Sequence, residues 1–147
     1  MAPRNRTPLV AATTDTHVPF RYPPVAESPL VLCIDDDPAI LELLEDIFTA
    51  CGIRAVCTSD CSTALRIATS EPLDAIVLDY HMPELDGLTL AQQIRQHKSH
   101  VPMILFSSAQ LPSDALDVVS RIVPKGDGAL TLADAVFESI EGPTHAA

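Results

Sequence analysis

The residues of this sequence best suited to chemistry all stand at the ends of apolar runs. Asp79 closes Ala75-Ile76-Val77-Leu78 within the stretch D-A-I-V-L-D-Y-H-M-P-E-L-D-G from Asp74 to Gly87. Asp35, Asp36 and Asp37 follow Leu30 to Ile34, Ser107 follows Val101 to Phe106, and Lys125 follows Arg121 to Val123 by way of Pro124. Taken singly, Asp79 reads equally well as a turn cap, because Asp is common where a strand becomes a loop. Taken together, these groups describe a reaction. Carboxylates from two separate segments repel, so both stay ionised only if a cation lies between them. A set of oxygen ligands with room for waters and a phosphoryl oxygen suits Mg²⁺. Lys125 would supply positive charge to an anion on Asp79, and Ser107 a hydroxyl donor. The combination reads as a site that places a phosphoryl group on a carboxylate.

For these side chains to meet, the apolar runs must be parallel strands whose carboxyl ends share one edge, where open α/β sheets bind ligands. The rest of the chain alternates accordingly. Asp37 and Pro38 open a helix as N-cap and first-turn proline, and Ile40, Leu41, Leu44, Ile47 and Phe48 give it an apolar stripe until Gly52. Ile53 to Cys57 reads as a second strand and Ser62 to Ser70 as a second helix. Asp74 to Asp79 is the third strand, and Leu88 to about His97 the third helix, with Leu88, Ala91 and Ile94 one turn apart. Val101 to Phe106 is the fourth strand, Ser113 to Ser120 leaves room only for a short fourth helix, and Arg121 to Val123 is a brief fifth strand. Leu130 to Glu141 makes the closing helix. Strands alternating with helices predict a doubly wound, five-stranded parallel sheet with helices on both faces.

Composition narrows the classes. The chain of 147 residues is one domain's worth, and 47% hydrophobic residues with only 4% aromatic suit a helix-covered parallel sheet. The net charge of −11 argues against nucleic acid or an anionic membrane as partner. The acid is concentrated: residues 1–29 hold Arg4, Arg6 and Arg21 against Asp15 and Glu27, leaving 6 basic and 18 acidic residues for a net −12 in residues 30–147. That N-terminal segment has six prolines and no helix or strand period, so it reads as a flexible arm, with Val18, Phe20 and Tyr22 available to dock on the domain. Residues 30–141 read as the folded domain and 142–147 as a tail. Cys33, Cys51, Cys57 and Cys61 lack zinc-site spacing and read as free thiols of a reducing compartment. With no transmembrane-length apolar run and no signal-peptide core, the expected location is cytoplasmic.

The ordered set of an acidic pair after the first strand, D-x-x-M-P with D-G after the third, Ser after the fourth and Lys after the fifth resembles the receiver domain of two-component response regulators. The resemblance covers about Leu30 to Glu141 and implies a flavodoxin-like strand order of 2-1-3-4-5. It implies Asp79 as the acceptor of a phosphoryl group from the phosphohistidine of a sensor histidine kinase or phosphotransfer protein, with Mg²⁺ held by Asp35, Asp36, Asp79 and the backbone carbonyl of His81. Asp36 would be the closer ligand of the pair. It implies Ser107 as the switch hydroxyl and Lys125 as the lysine that pairs with the phosphoryl group. By the same resemblance the His81 side chain, two residues after Asp79, would tune the lifetime of that group, while His97 and His100 read as helix-end or loop residues.

Three departures bear on signalling. The stretch between Ser107 and Lys125 is about one helical turn shorter than in most receivers. Ile122 stands where many receivers carry a switching Tyr or Phe, and Gly126 where many carry Pro. Ser108 keeps access to the site open. The first reading is therefore a single-domain regulator, monomeric or weakly dimeric, acting on a downstream protein target. The second is a pseudo-receiver, an interaction module that signals without phosphorylation. The third is a Mg²⁺-dependent phosphohydrolase with an aspartyl nucleophile; such enzymes carry a second Asp two residues on, where this sequence has His81.

Overall fold

A computed structural model describes residues 28–98 and 100–145. Most of the expected N-terminal arm, including Val18, Phe20 and Tyr22, lies outside the described residues, as do the last two residues of the expected tail. The strands are β1 (Leu30–Ile34), β2 (Arg54–Thr58), β3 (Ala75–Leu78), β4 (Met103–Ser107) and β5 (Arg121–Pro124). They form one parallel sheet in the order β2-β1-β3-β4-β5, as expected. The helices are α1 (Pro38–Ala50), α2 (Cys61–Ser70), α3 (Gly87–Arg95) and α4 (Ala129–His145). Among the described residues no helix is long and apolar enough to cross a membrane.

Alternation along the strands explains why the apolar runs are unbroken. Val31, Cys33, Val77, Ile104 and Phe106 face one side, where they pack with Leu44 and Phe48 of α1 and Leu132 and Val136 of α4. Leu32, Ile34, Ile76, Leu78, Met103 and Leu105 face the other, against Ala64 and Ala68 of α2 and Leu90 and Ile94 of α3. Each residue of the inner strands β1, β3 and β4 thus has a core to enter on whichever side it points. Asp37, Asp60 and Asp86 cap α1, α2 and α3, accepting from the backbone N–H groups of Ala39, Thr63 and Thr89 at 3.0, 2.7 and 2.8 Å.

The structure corrects several boundaries. Ser28 and Pro29 belong to the domain rather than to the arm: the Arg54 guanidinium donates to the Ser28 carbonyl at 2.9 and 3.1 Å, and the Arg54 N–H to the Pro29 carbonyl at 2.8 Å. Strand β2 begins one residue later than expected because the Ile53 N–H donates back to Phe48 and closes α1. The short fourth helix is a single 3₁₀ turn, Ala115–Asp117. The Ser120 N–H already donates to the Met103 carbonyl at 2.8 Å, so the sheet draws the chain back before an α-helix can propagate. The last helix runs on to His145, past the end expected near Glu141 and through part of the expected tail.

Candidate functional site

The carboxyl ends of β1, β3, β4 and β5 lie side by side, and the register sets which residues follow them. Leu78 pairs with Ile34 on one side and Leu105 on the other, so Asp79 emerges between β1 and β4, next to Asp35. Ser107 pairs with Pro124, directly before Lys125. Sheet hydrogen bonds run to the end: the Asp79 N–H donates to the Ile34 carbonyl at 3.0 Å, and the Asp35 N–H to the Thr58 carbonyl at 3.3 Å.

Asp35, Asp36 and Asp79 each offer a carboxylate oxygen, and these oxygens lie within 4.8 Å of one another. Asp35 and Asp79 are buried, at 2% and 7% exposure, and Asp36 is exposed. Lys125 opens a 3₁₀ turn (Lys125–Asp127) after β5, and its Nζ reaches 2.8 Å from Asp35 Oδ2 and 3.5 Å from Asp79 Oδ2. The other oxygens are held by backbone. The Asp37 N–H donates to Asp35 Oδ1 at 2.9 Å and the Tyr80 N–H to Asp79 Oδ1 at 2.8 Å.

Three carboxylates face one ammonium, and their electrostatics show the imbalance. Burial pushes the Asp35 carboxyl above its ordinary range, and the neighbouring Asp79 charge adds to this, against the opposing pull of Lys125 and the Asp37 amide. For Lys125 burial acts to lower the value, but the hydrogen bond and charge of Asp35, together with the Asp79 charge, carry it above the ordinary value. Both partners moving upward means that desolvation of Asp35 outweighs a single ion pair. A divalent cation fits this donor set. It would neutralise the excess charge, and a hard cation such as Mg²⁺ takes carboxylate oxygens as ligands.

Asp35, Asp36, Asp79 and Lys125 are therefore gathered into one site. Ser107 is buried on the same edge, but its Oγ accepts the Ala109 N–H at 3.0 Å within its own loop. The His81 imidazole is exposed and lies at 5.0 Å, centroid to centroid, from the Tyr80 ring. Ile122 is half-buried against the α2/α3 side of the sheet.

One contributor has a role that sequence reasoning left unstated. A Cβ on Gly87 would stand 2.1 Å from the Asp79 carbonyl oxygen and 3.1 Å from the Tyr80 Cα, and the Gly87 N–H donates to the Tyr80 carbonyl at 2.7 Å. The start of α3 thus presses directly on the backbone that carries Asp79, and only glycine permits that approach. The Asp-Gly pair in the sequence marks the position; the contact needs the fold.

Residues 31–123 match the model of the response regulator receiver domain. The transcriptional regulatory protein PrrA of Mycobacterium tuberculosis is 38% identical over 87 residues, which are 59% of this chain and 37% of PrrA. The chain spans about a third of the length of these curated relatives. Among solved structures, the receiver domain of the Francisella response regulator 1452 has a TM-score of 0.72 at 26% identity, covering 78% of this chain and 98% of that one. The response regulator TrrA of Thermotoga maritima, solved in complex with Mg²⁺-BeF, has a TM-score of 0.70 at 26% identity, covering 76% and 98%.

Proposed function

The chain belongs to the response regulator receiver domain family of two-component systems, and on that premise we propose that Asp79 accepts a phosphoryl group from the phosphohistidine of a sensor histidine kinase or histidine phosphotransfer protein. The observation that carries the reading is Lys125 Nζ set between Asp35 and Asp79, in a cluster of three carboxylates that one lysine cannot neutralise. Asp35, Asp36 and Asp79, with the His81 backbone carbonyl, would hold Mg²⁺. When bound, that ion offsets charge on the phosphoryl oxygens and on the attacking carboxylate.

The chain's own groups do the rest. The Tyr80 N–H holds one oxygen of Asp79 and so fixes the plane of its carboxylate. An Asp79 oxygen attacks phosphorus in line; the O–P bond forms as the P–N bond breaks, and the electron pair leaves with the donor imidazole. Lys125 is within reach of Asp79 Oδ2 and would move its ion pair from the carboxylate to a phosphoryl oxygen. Ser107 would take its hydroxyl from the Ala109 amide to the same group, which couples the β4–β5 loop to the phosphorylated state.

The output is contact with a downstream protein, from a monomer or weak dimer; the acidic balance favours a protein partner over nucleic acid. Four free cysteines suit a cytoplasmic setting. A second reading, an interaction module that signals without phosphorylation, draws on the 3₁₀ turn in place of a fourth helix and on the aliphatic Ile122. Borohydride reduction of the phosphorylated protein converts an acyl phosphate to an alcohol. Peptide mapping that locates the reduced residue at position 79 supports the first reading, and a stable adduct elsewhere refutes it.

A further inference from the structure

We propose that Cys33 and Cys57 form a dithiol site that a hydroperoxide oxidises to an intramolecular disulfide. The two residues are direct partners in the β1–β2 register, so their side chains leave the sheet on the same side, and both pack in the core formed with α1 and α4. Neighbouring strands stand about 4.8 Å apart, within the Cα separation of roughly 4.4–6.8 Å that a disulfide spans. Their environments divide the labour. Cys57 is half-buried on the edge strand of the sheet, so an oxidant can reach it, whereas Cys33 is wholly buried on the adjacent inner strand.

The chemistry balances. The Cys57 sulfur attacks the peroxide, taking one oxygen as a sulfenic acid and releasing an alcohol, or water if the oxidant is hydrogen peroxide. The Cys33 sulfur then attacks Cys57, the S–S bond forms, and the oxygen leaves as water with the thiol proton. The Cys57 thiol donates to the Leu41 carbonyl at 3.8 Å, and the adjacent Cys33 thiol lowers it from its ordinary value. The other cysteines are poorly placed to compete. Cys61 lies on the opposite side of the sheet, its thiol pushed up to about 11 by burial and by its hydrogen bond with Glu84, and Cys51 is buried at the end of α1. The link would staple β2 to β1 beside the Asp35 N–H to Thr58 carbonyl bond.

The test is oxidation of the full chain with tert-butyl hydroperoxide, then denaturation, alkylation and peptide mapping without reductant. The proposal expects alkylatable thiols to fall from four to two. It also expects a Cys33–Cys57 linked peptide that dithiothreitol removes, and no such fall in Cys57→Ser or Cys33→Val. Four alkylatable thiols after oxidation, sulfinic or sulfonic Cys57 beside a free Cys33, or a bridge between other cysteines would each overturn it. Mapping the wild-type chain decides the matter even if a variant fails to fold.

Discussion

Lys125 Nζ is closer to Asp35 than to Asp79, at 2.8 Å against 3.5 Å. The lysine therefore serves first as counter-ion to the most deeply buried carboxylate of the site, and only secondarily as a neighbour of the proposed phosphoacceptor. Asp35 at 2% exposure has little water to turn to, so its stability depends on what positive charge stands beside it.

Removing that charge should first be felt as instability. Lys125→Ala strands the Asp35 carboxylate with only the Asp37 amide, and the variant is expected to lose about 1–3 kcal/mol in urea unfolding without divalent ions. Added Mg²⁺ should recover part of that loss by replacing the missing charge. A variant as stable as the wild type in metal-free buffer would contradict the counter-ion role.

The raised Asp35 carboxyl makes the metal-free fold sensitive to pH in a definite direction. A carboxyl whose folded value lies above its unfolded value of 3.8 binds more protons folded than unfolded between those two values. Its contribution is fully present below the unfolded value and is lost as pH rises through the folded one. A divalent ion needs the ionised form, so its stabilisation should grow across the same window. Thermal melts with and without Mg²⁺ from about pH 4 to about pH 7 should diverge as pH rises, and the divergence should flatten in Asp35→Asn. Equal Mg²⁺ effects at both ends would count against Asp35 as a ligand.

Gly87 tests how firmly the scaffold sets the acceptor. Gly87→Ala puts a methyl group 2.1 Å from the Asp79 carbonyl oxygen, and backbone must move to relieve it. The expected result is a loss of roughly 1–3 kcal/mol in stability together with slower phosphorylation. Gly126→Ala is the control, since a Cβ there meets nothing within 4 Å. Indistinguishable behaviour of the two variants would remove the argument for close approach.

Much of this was legible in the sequence because the determinants are local. Unbroken apolar runs marked buried strands, and Asp37 and Pro38 marked the start of α1, where the structure finds the cap. The gathering of Asp35, Asp36, Asp79 and Lys125 followed from strand ends sharing an edge. What the sequence left open depends on contacts across the fold. The Arg54 grip on Ser28 joins residues 26 positions apart, and no local pattern announces it. The ranking of Asp35 over Asp79 as the partner of Lys125 is a matter of distances, and so is the Gly87 contact. The collapse of the expected short helix to one 3₁₀ turn is set by the Ser120–Met103 hydrogen bond, a demand of the sheet rather than of helix propensity.

The most direct test of the central claim is intact mass after incubation with Mg²⁺ and acetyl phosphate, with wild type and Asp79→Asn side by side. Both should be folded by circular dichroism. The account predicts one phosphoryl adduct on the wild type, dependent on Mg²⁺, and none on the variant. An adduct that persists in Asp79→Asn, or none on a folded wild type that binds Mg²⁺, would contradict it.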